Sequence, residues 1–506
     1  MRLFERFDPE AIALRDGSRA IKAGEAECRV FALHHLLKEN LGLAPGDTIA
    51  LLLKNRVEIF ELLLAGVAAG LNVVPLGRHL RPAELRYIVG DSEARFIIYD
   101  EESQGAFDGD PRALALEDLY RDRFYASAED LGEAPRWERD APPGGPTIYT
   151  SGTSGKPKGV VRARPRRFID AIEGFRRAGA LFGLDGSGPH LVAGPLYHAA
   201  PLLFALYDLL NGAPIIVLER FDERALLRTI TRERVAHLHL VPTHFIRLLR
   251  LPDEERRAFD ASSITLTLHG AAPIAPSTKR AVLAWWGGEL REYWGATEGG
   301  IYTLIDRSEW LLREGSVGRP LPHFEIAAFD EEGARLGPDE IGTLYIRHRH
   351  EPEPFIYRGD PEKTRDAYLE GGFFTAGDLG HVDAGGYVYL SARRSNLILS
   401  GGVNIYPAEI EAAALGDEDI QEMVEEIIVY GEPDEEWGER VVAAIALRSG
   451  HDASVIPLIR ARLADRIAGY KLPRIFELYA SIPRNEAGKI RLADLEHAER
   501  LGRYEL

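Results

Sequence analysis

The sequence predicts an α/β protein with a large N-terminal domain, residues 1–393, and a small α+β C-terminal domain, residues 394–506. Short apolar segments alternate with amphipathic segments through the first two thirds of the chain, which is typical of sheets covered by helices. Beyond Gly315 the sequence becomes rich in glycine and in strand-forming residues. We therefore expect the large domain to contain two α/β subdomains and a β-barrel-like subdomain.

The first α/β subdomain begins with an apolar segment at residues 47–53, which predicts a buried strand. Residues 58–69 follow as a predicted helix, and residues 72–76 and 95–100 as two further strands. Residues 101–145 are acidic and end in Ala-Pro-Pro-Gly-Gly, a composition that favours a variable surface connection.

The second α/β subdomain is predicted from four short apolar strands, at residues 190–193, 214–218, 235–240 and 265–268. The β-rich pattern of the third subdomain is clearest at residues 342–347 and 386–390. In the small domain the pattern predicts helices at 407–415 and 454–467 and strands at 427–430 and 441–447.

Composition excludes several classes of protein. A chain of 506 residues with 45% hydrophobic residues can bury more than one core. Its formal charge of −18 argues against a nucleic-acid-binding protein, because such proteins normally carry a basic face. The longest apolar run, residues 59–76, is interrupted by Glu61 and by glycines, so it predicts a buried helix and strand rather than an integral membrane segment. The composition predicts no particular oligomeric state.

Cys28 is the only cysteine, which rules out an internal disulfide and a thiolate metal cluster. Unpaired cysteine is commonly a small buried residue, so we expect Cys28 in the core. The N-terminal residues Met1 to Arg6 are not followed by the apolar stretch of a signal peptide. Together these features predict a cytoplasmic enzyme.

Residues 149–159 read Tyr-Thr-Ser-Gly-Thr-Ser-Gly-Lys-Pro-Lys-Gly and overlap a predicted strand at 147–150. Glycines allow backbone N–H groups to face an anion, while the hydroxyls and the two lysines add donors and positive charge. The segment is not a Walker A loop, because Pro157 stands where that loop needs serine or threonine and Thr150 where it needs glycine. Taken alone, it predicts either a polyphosphate-binding loop or a polar surface loop.

Further motifs follow in order along the chain. They are Tyr-Trp-Gly-Ala-Thr-Glu at 293–298, Thr-Ala-Gly-Asp at 375–378, Arg393 before Ser-Gly-Gly at 400–402, and Pro-Arg-Asn-Glu-Ala-Gly-Lys at 483–489. Together with the 149–159 segment they resemble the adenylate-forming enzymes, the superfamily of acyl-CoA synthetases, peptide-synthetase adenylation domains and luciferases. The resemblance extends from about Asp47 to Lys489. It favours phosphate binding for the 149–159 segment.

The resemblance implies activation of a carboxylic acid by ATP, with Mg²⁺ as cofactor and pyrophosphate as product. The implied catalytic residues are Lys489, which bridges the acyl carboxylate and the phosphate, Thr297, which contacts the α-phosphate, and Glu298. Glu298 and Thr150 are the implied metal ligands, in keeping with the preference of Mg²⁺ for oxygen. The other implied ATP and AMP contacts are Ser151, Gly152, Thr153, Ser154, Gly155 and Lys158 for the phosphates, Gly270, Ala271, Ala272 and Tyr293 for adenine, Trp294, Gly295 and Ala296 in the same motif, and Asp378 and Arg393 for ribose and phosphate.

In the same superfamily the small domain rotates after adenylation and presents a thiol acceptor to the acyl group. Ser400, Gly401 and Gly402 look like the acceptor-binding segment of the acyl-CoA synthetase branch, which implies coenzyme A as cosubstrate. The hinge position is Ser395, where the family more often has aspartate or lysine. An amide bond synthetase that transfers the acyl-adenylate to an amine is the alternative. A nucleotide-binding or scaffolding protein without catalytic activity is a third hypothesis.

The acid-binding pocket is indicated by Pro-Leu-Tyr-His at 195–198, followed by Ala-Ala-Pro-Leu-Leu-Phe. This segment resembles the one that gates the acyl pocket in fatty and aryl acyl-CoA synthetases. We expect His198, Val241 and Gly295 to line the pocket. Mainly apolar surroundings favour a hydrophobic acid, either fatty or aromatic.

Overall fold

The computed structural model describes residues 1–80, 82–120, 137–150, 158–393, 397–400, 403–434, 437–484 and 492–506. Over these residues the protein is a mixed α/β structure with a large N-terminal domain and a small C-terminal domain, as predicted. Within the described ranges, no helix is long and apolar enough to cross a membrane.

The first 150 residues form strands and helices that alternate along the chain. They are β1 (Ile12–Asp16), β2 (Arg19–Lys22), α1 (Ala23–His35) continued by a π-helical turn at Leu36–Asn40, β3 (Thr48–Leu52), α2 (Glu58–Ala68), β4 (Asn72–Pro75), α3 (Pro82–Asp91), β5 (Ala94–Tyr99), a 3-10 helix at Glu101–Phe107, β6 (Ala113–Ala115), α4 (Leu116–Asp118), β7 (Gly145–Pro146) and β8 (Ile148–Thr150).

Five of these strands form a parallel sheet in the order β6-β5-β3-β4-β7. The long apolar run of the sequence is α2 followed by β4, as predicted, and α2 is buried along its whole length. The surface connection expected at 101–145 is partly wrong. In its described portion β6 extends the sheet, and Trp137 is buried with its indole N–H donating to Glu27. A strand of only three residues within an acidic segment is too short to be predicted from hydrophobic pattern.

The next part of the chain carries the elements of the second α/β subdomain. They are β9 (Lys158–Arg162), α5 (Phe168–Phe182), β10 (His190–Val192), α6 (Ala199–Asn211), β11 (Ile215–Val217), α7 (Glu223–Glu233), β12 (His237–Leu240), α8 (Pro242–Leu249), α9 (Asp253–Ala258), β13 (Leu266–His269), α10 (Pro276–Trp285), β14 (Glu289–Ala296), β15 (Gly300–Ile305) and α11 (Arg307–Leu312).

The main sheet contains parallel strands in the order β1-β11-β10-β12-β13-β14. Carboxyl ends of parallel strands meet at one edge, where open α/β sheets bind their ligands. His198 follows β10, Val241 follows β12 and Gly270 follows β13. The topology therefore collects these predicted residues at the same edge as the 293–298 motif.

The third subdomain is an antiparallel layer. Its elements are β16 (Ser316–Pro320), β17 (Phe324–Phe329), β18 (Gly342–His348), β19 (Phe355–Tyr357), α12 (Pro361–Asp366), β20 (Tyr368–Leu369), β21 (Phe373–Phe374), β22 (Asp378–Val382) and β23 (Val388–Arg393). The β-rich region is thus confirmed, and it continues the main sheet through β15 and β16 in the order β16-β23-β22-β18-β21-β20, with β17 also paired to β18.

A small antiparallel sheet, β8-β9-β19, joins two distant parts of the chain. Strands β8 and β9 flank residues 151–157, and Thr150 is the register partner of Lys158. Strand β19 pairs with the other side of β9, with Tyr357 opposite Val160. The strands on either side of the predicted phosphate loop are therefore paired with each other, and β19 extends their sheet.

The C-terminal region forms a separate core. Its elements are β24 (Ile398–Ser400), β25 (Val403–Ile405), α13 (Pro407–Leu415), α14 (Glu418–Met423), β26 (Val424–Asp434), β27 (Gly438–Leu447), 3-10 turns at Ala453–Val455 and Gly469–Lys471, α15 (Ile456–Ala464), β28 (Ile475–Tyr479), α16 (Leu492–Leu495) and β29 (Arg500–Glu505).

Polar contacts join the small domain to the large one. Ser277 Oγ donates to the Leu415 carbonyl at 3.0 Å, and Arg250 Nη2 lies 3.1 Å from Glu425 Oε1. The second contact is an exposed ion pair, which typically contributes less than about 1 kcal/mol. The boundary at residues 393 and 394 stays a prediction.

Cys28 does not lie in the core but is exposed on α1. The buried residues of this helix include Ala26, Val30 and Leu33, which follow the spacing of one helical face. Cys28 falls outside that face, so helical periodicity overrides the usual burial of cysteine.

Candidate active site

The predicted adenine segment, residues 270–272, lies at the carboxyl edge of the main sheet, immediately after β13. His269, the last residue of β13, is the register partner of Glu292 on β14. A Cβ on Gly270 would lie 2.5 Å from the Tyr293 carbonyl oxygen, so only glycine fits this approach of the two strands. Ala271 has a φ of +67°, a left-handed conformation that L-residues seldom adopt.

Tyr293 and Trp294 are neighbours in β14 but take different partners. The Tyr293 hydroxyl lies 2.9 Å from His239 Nε2, and its ring contacts the Phe204 ring edge at a centroid distance of 5.4 Å. The Trp294 indole N–H donates to Asp378 Oδ2 at 2.9 Å. Successive side chains of a strand point to opposite faces. The geometry therefore favours Trp294, rather than Tyr293, as the aromatic residue beside the predicted ribose carboxylate.

Asp378 and Arg393 belong to adjacent antiparallel strands. Asp378 opens β22, Arg393 ends β23, and the two residues are register partners. Asp378 is buried, with 8% of its surface exposed. Two predicted nucleotide ligands that lie far apart in the sequence are thus brought side by side by strand pairing.

Glu298 occupies the tight connection between β14 and β15. The connection is closely packed, because a Cβ on Gly295 would lie 2.3 Å from the Gly300 carbonyl oxygen. The Tyr357 hydroxyl donates to Glu298 Oε1 at 2.9 Å. Thr297, its neighbour, is half-buried in the same connection.

Magnesium chemistry fits Glu298. The residue is partly exposed, and Tyr357 is its one hydrogen-bond partner within the described ranges. That bond engages Oε1 and leaves Oε2 available to a hard cation, which prefers carboxylate oxygen. Thr150, the second predicted ligand, ends β8 beside the phosphate loop.

Lys158, a predicted phosphate contact, forms an ion pair with an aspartate. Its ammonium group lies 2.7 Å from Asp360 Oδ2, in the turn before α12. The hydrogen bond to Asp360 raises the pKa of Lys158, and the same bond lowers the pKa of Asp360. Asp360 therefore offsets part of the charge of Lys158, and the phosphate contact of Lys158 stays a prediction. The loop residues Ser151, Gly152, Thr153, Ser154 and Gly155 lie outside the described residues.

Two predicted acid-binding residues, His198 and Val241, directly precede helices of the second α/β subdomain. Val241 is buried at the start of α8, and His198 is half-buried at the start of α6, with its ring 4.4 Å from that of Tyr197. Burial lowers the pKa of His239 to about 3, so this imidazole is neutral near pH 7. Phe204 contacts the His239 ring at 5.3 Å. Phe204 on α6 and His239 on β12 are therefore buried, uncharged side chains on the elements next to His198 and Val241.

A buried ionic group lies beneath the adenine segment. Lys279 of α10 is fully buried, and its ammonium group lies 2.5 Å from Glu292 Oε2. Burial lowers the pKa of Lys279 and raises the pKa of Glu292, while their mutual attraction opposes both shifts. Because Glu292 precedes Tyr293 directly, the pair attaches α10 to the strand that carries the 293–298 motif.

The predicted residues of the second step are only partly described. Ser400 ends β24 and pairs with Val403 across a hairpin. Gly401, Gly402, Ser395 and the predicted catalytic residue Lys489 lie outside the described residues. The roles assigned to them stay predictions.

Sequence reasoning missed Tyr357, Asp360 and Lys363. The Lys363 ammonium group lies 4.3 Å from the Tyr357 ring centroid. Burial lowers the pKa of Lys363, while attraction to Glu298 opposes this shift. The available signal was Tyr-Arg-Gly-Asp-Pro at 357–361, in which Asp-Pro marks the start of a helix.

Two known families match this chain. The family described as AMP-binding enzyme matches residues 4–351, and the AMP-binding enzyme C-terminal domain matches residues 409–489. The first match alone spans more than half of the sequence and contains the phosphate loop and the 293–298 motif.

Curated relatives cover almost the whole chain. A 2-succinylbenzoate–CoA ligase from Geobacillus kaustophilus is 31% identical over 490 residues, which is 96% of this chain and 95% of the relative. The long-chain-fatty-acid–CoA ligase FadD13 from Mycobacterium tuberculosis is 31% identical over 474 residues, covering 89% and 88% of the two chains.

Two solved structures of similar fold each match 98% of this chain and 98% of their own chain. The o-succinylbenzoate CoA synthetase MenE from Bacillus subtilis, in complex with the acyl-adenylate intermediate OSB-AMP, has a TM-score of 0.81 at 25% identity. The amide bond synthetase McbA from Marinactinospora thermotolerans has a TM-score of 0.82 at 25% identity. The chain therefore belongs to the AMP-binding enzyme family, within the adenylate-forming superfamily and on its acyl-CoA synthetase branch.

Proposed function

We propose that this protein is an acid–thiol ligase that activates a carboxylic acid with ATP and transfers the acyl group to coenzyme A. The observation that carries the proposal is the hydrogen bond between Trp294 and Asp378. It joins the 293–298 motif to the predicted ribose carboxylate, so two separate motifs form one nucleotide-binding surface. ATP, the acid and CoA are the substrates, and pyrophosphate, AMP and acyl-CoA are the products.

In the first step a carboxylate oxygen attacks the α-phosphorus, and the bond to pyrophosphate breaks. The attacking carboxylate and the α-phosphate are both anionic, and negative charge develops on the departing pyrophosphate oxygen, so fixed positive charge and hydrogen-bond donors lower the barrier. Lys489 supplies the charge at the carboxylate and Thr297 donates to the α-phosphate. Glu298 and Thr150 would hold Mg²⁺, which neutralises phosphate charge when bound. A structure of the similar synthetase MenE carries ATP and a magnesium ion.

The β- and γ-phosphates, the ribose and the adenine of ATP are proposed to bind residues at or beside the ends of strands. The hydroxyl loop at 151–155 and Lys158 receive the β- and γ-phosphates, and Asp360 orients the Lys158 ammonium group. Asp378 accepts hydrogen bonds from the ribose hydroxyls, and Arg393 lies beside it in register. Adenine occupies the edge formed by residues 270–272 and the 293–298 motif.

In the second step the thiol sulfur of CoA attacks the acyl carbonyl carbon, and the bond to AMP breaks. The proposed acceptor segment is Ser400, Gly401 and Gly402, which belongs to the small domain. Rotation about Ser395 would bring this segment to the acyl-adenylate. Hinge residues need only accommodate backbone rotation, so serine can serve where other members have charged residues.

The acid is proposed to be hydrophobic, either fatty or aromatic. His198, Val241 and Gly295 are the proposed pocket residues. Support comes from Phe204 and neutral His239, which are uncharged and buried on the elements next to His198 and Val241. The names of the two relatives include one aromatic and one long-chain acid.

An amide bond synthetase is the second candidate. It shares the adenylation step and differs in the acceptor, which is an amine. The similarity to McbA, at a TM-score of 0.82 over 98% of the chain, favours it. The unusual residue Ser395 at the hinge also favours the amide bond synthetase.

The decisive test is product analysis with a panel of acids. The protein is incubated with ATP, Mg²⁺ and fatty or aryl acids, and pyrophosphate is measured with CoA, with amines and with neither. We expect pyrophosphate release and, with CoA, an acyl-CoA product in mass spectrometry. No pyrophosphate with any acid would refute the ligase. Amides formed in the absence of thioesters would establish the second candidate.

We also propose that the protein acts in the cytoplasm. ATP and CoA are abundant in that compartment, and a single cysteine agrees with a reducing environment. Fractionation of the source cells, with an antibody against the protein, would test this location.

A further inference from the structure

The short segment from β19 to α12, residues 355–366, reaches both the phosphate loop and the predicted metal ligand. At one end Asp360 forms an ion pair with Lys158, the first described residue after the loop. At the other end the Tyr357 hydroxyl donates to Glu298 Oε1 at 2.9 Å. No motif of the 149–159 or 293–298 segments includes these residues.

The segment holds the Tyr357 backbone firmly. Tyr357 lies in β19, which pairs with β9. Its N–H donates to Thr364 Oγ1 at 3.0 Å, and the Thr364 hydroxyl donates to the Asp360 carbonyl at 2.9 Å. The Asp360 carboxylate also accepts a hydrogen bond from the Lys363 N–H, which caps α12. These hydrogen bonds fix the backbone position from which the Tyr357 side chain extends.

The ring itself is confined on two sides. Tyr357 is 7% exposed and contacts the Phe355 ring edge at a centroid distance of 5.3 Å. The Lys363 ammonium group lies 4.3 Å from the Tyr357 ring centroid, a cation–π distance. Because the ring has little freedom to move, the Tyr357 hydroxyl is held in place beside Glu298.

We propose that Tyr357 is a positioning residue for the metal-bound nucleotide. Its hydroxyl fixes Glu298 through Oε1, so that Oε2 faces the ATP phosphates before the cation arrives. A glutamate side chain loses rotamer freedom when it becomes a ligand, and a prior hydrogen bond reduces that loss. The proposal rests on the proposed function, because it takes Glu298 as the metal ligand.

Removal of the Tyr357 hydroxyl alone, in Tyr357→Phe, tests this positioning role. Partners that orient a metal ligand typically change metal affinity by about 10–100-fold when mutated. In Tyr357→Phe we expect Mn²⁺ binding in the presence of ATP, followed by electron paramagnetic resonance, to weaken by about that factor. ATP binding in EDTA and the melting temperature should stay close to those of the wild type. In steady state, KM for Mg²⁺ should rise, and kcat at saturating Mg²⁺ should recover.

Tyr368 provides a matched control. Its hydroxyl donates to the Phe355 carbonyl at 2.8 Å, and its ring stacks on Phe355. Tyr368→Phe removes a phenol hydroxyl from the same layer without touching Glu298. This variant should keep the Mn²⁺ affinity of the wild type. Equal loss in both phenylalanine variants, or loss of ATP binding in EDTA in Tyr357→Phe, would show a structural role and overturn the proposal.

Glu298→Gln separates this proposal from the proposed function. If Glu298→Gln loses Mn²⁺ affinity and Tyr357→Phe does not, Glu298 is a ligand and the positioning role is wrong. If neither variant changes Mn²⁺ binding, the assignment of Glu298 itself fails, and with it the role of Tyr357.

Discussion

The indole N–H of Trp294 donates to Asp378 Oδ2 at 2.9 Å, across 84 residues of sequence. Both side chains are buried, at 5% and 8% exposure. A hydrogen bond to a carboxylate in such surroundings contributes about 1.5–3 kcal/mol. Trp294 therefore fixes the group that we propose for ribose binding.

Removal of this donor should weaken nucleotide binding. In Trp294→Phe we expect roughly tenfold weaker ATP binding by calorimetry, because Asp378 loses its fixed orientation. Trp285→Phe is the control, since the Trp285 indole donates to the Arg256 carbonyl, a partner outside the proposed site. Unchanged ATP affinity in Trp294→Phe would contradict the role given to this bond.

Lys489→Ala should suppress the first step selectively. Loss of one group that stabilises the developing charge typically costs about 10²–10³-fold in rate. We expect acyl-adenylate formation to fall by at least that factor, with an unchanged circular dichroism spectrum and melting temperature. Preformed acyl-adenylate should still react with CoA. Adenylation at near-normal rates would exclude Lys489 as the catalytic lysine.

Removing one member of the buried ion pair Lys279–Glu292 should destabilise the protein more than removing both. Lys279→Met leaves an unpaired carboxylate in the core and should cost about 3–5 kcal/mol in the free energy of unfolding. The double variant Lys279→Met and Glu292→Leu removes both charges and should recover most of that loss. Denaturant titrations of the two single variants and the double variant measure the coupling. Additive losses would mean that the two side chains act independently.

Glu411 on α13 should make stability depend on pH. Burial raises the pKa of Glu411 from 4.5 to about 7, against the opposing effects of the Val429 N–H and Arg484. Between these two values the unfolded chain releases a proton that the folded protein retains. The free energy of unfolding should therefore fall as pH rises from about 4.5 to 7, by about 2–3 kcal/mol from this group.

Glu411→Gln keeps the acceptor for the Val429 N–H, which lies 2.8 Å from Oε1, and removes the charge. We expect this variant to gain stability over the wild type at pH 8 and to match it near pH 5, in denaturant titrations at both values. Glu422→Gln, at an exposed position of the neighbouring helix α14, should leave the pH dependence unchanged. Parallel pH profiles for wild type and Glu411→Gln would disprove the assignment.

Local pattern predicted the scaffold well. The segments at 47–53, 58–69 and 72–76 appear as β3, α2 and β4 with ends shifted by one residue at most. Buried parallel strands are short apolar runs, and a buried helix differs from them in length, so both leave a clear signal. Cys28 and the 101–145 segment were predicted wrongly because burial there depends on a helical face and on one short edge strand.

The sequence by itself determined the chemical groups of the site and their order, because each motif is a continuous segment whose composition suits phosphate, metal or ribose. Only the tertiary structure decided which partner each group takes. Lys158 meets Asp360 from 202 residues away, and Glu298 meets Tyr357 from 59 residues away. Such contacts depend on the pairing of β9 with β19 and on the register of the sheets. Sequence periodicity indicates the face of a strand but not its neighbours, since pairing is set by the packing of the whole domain.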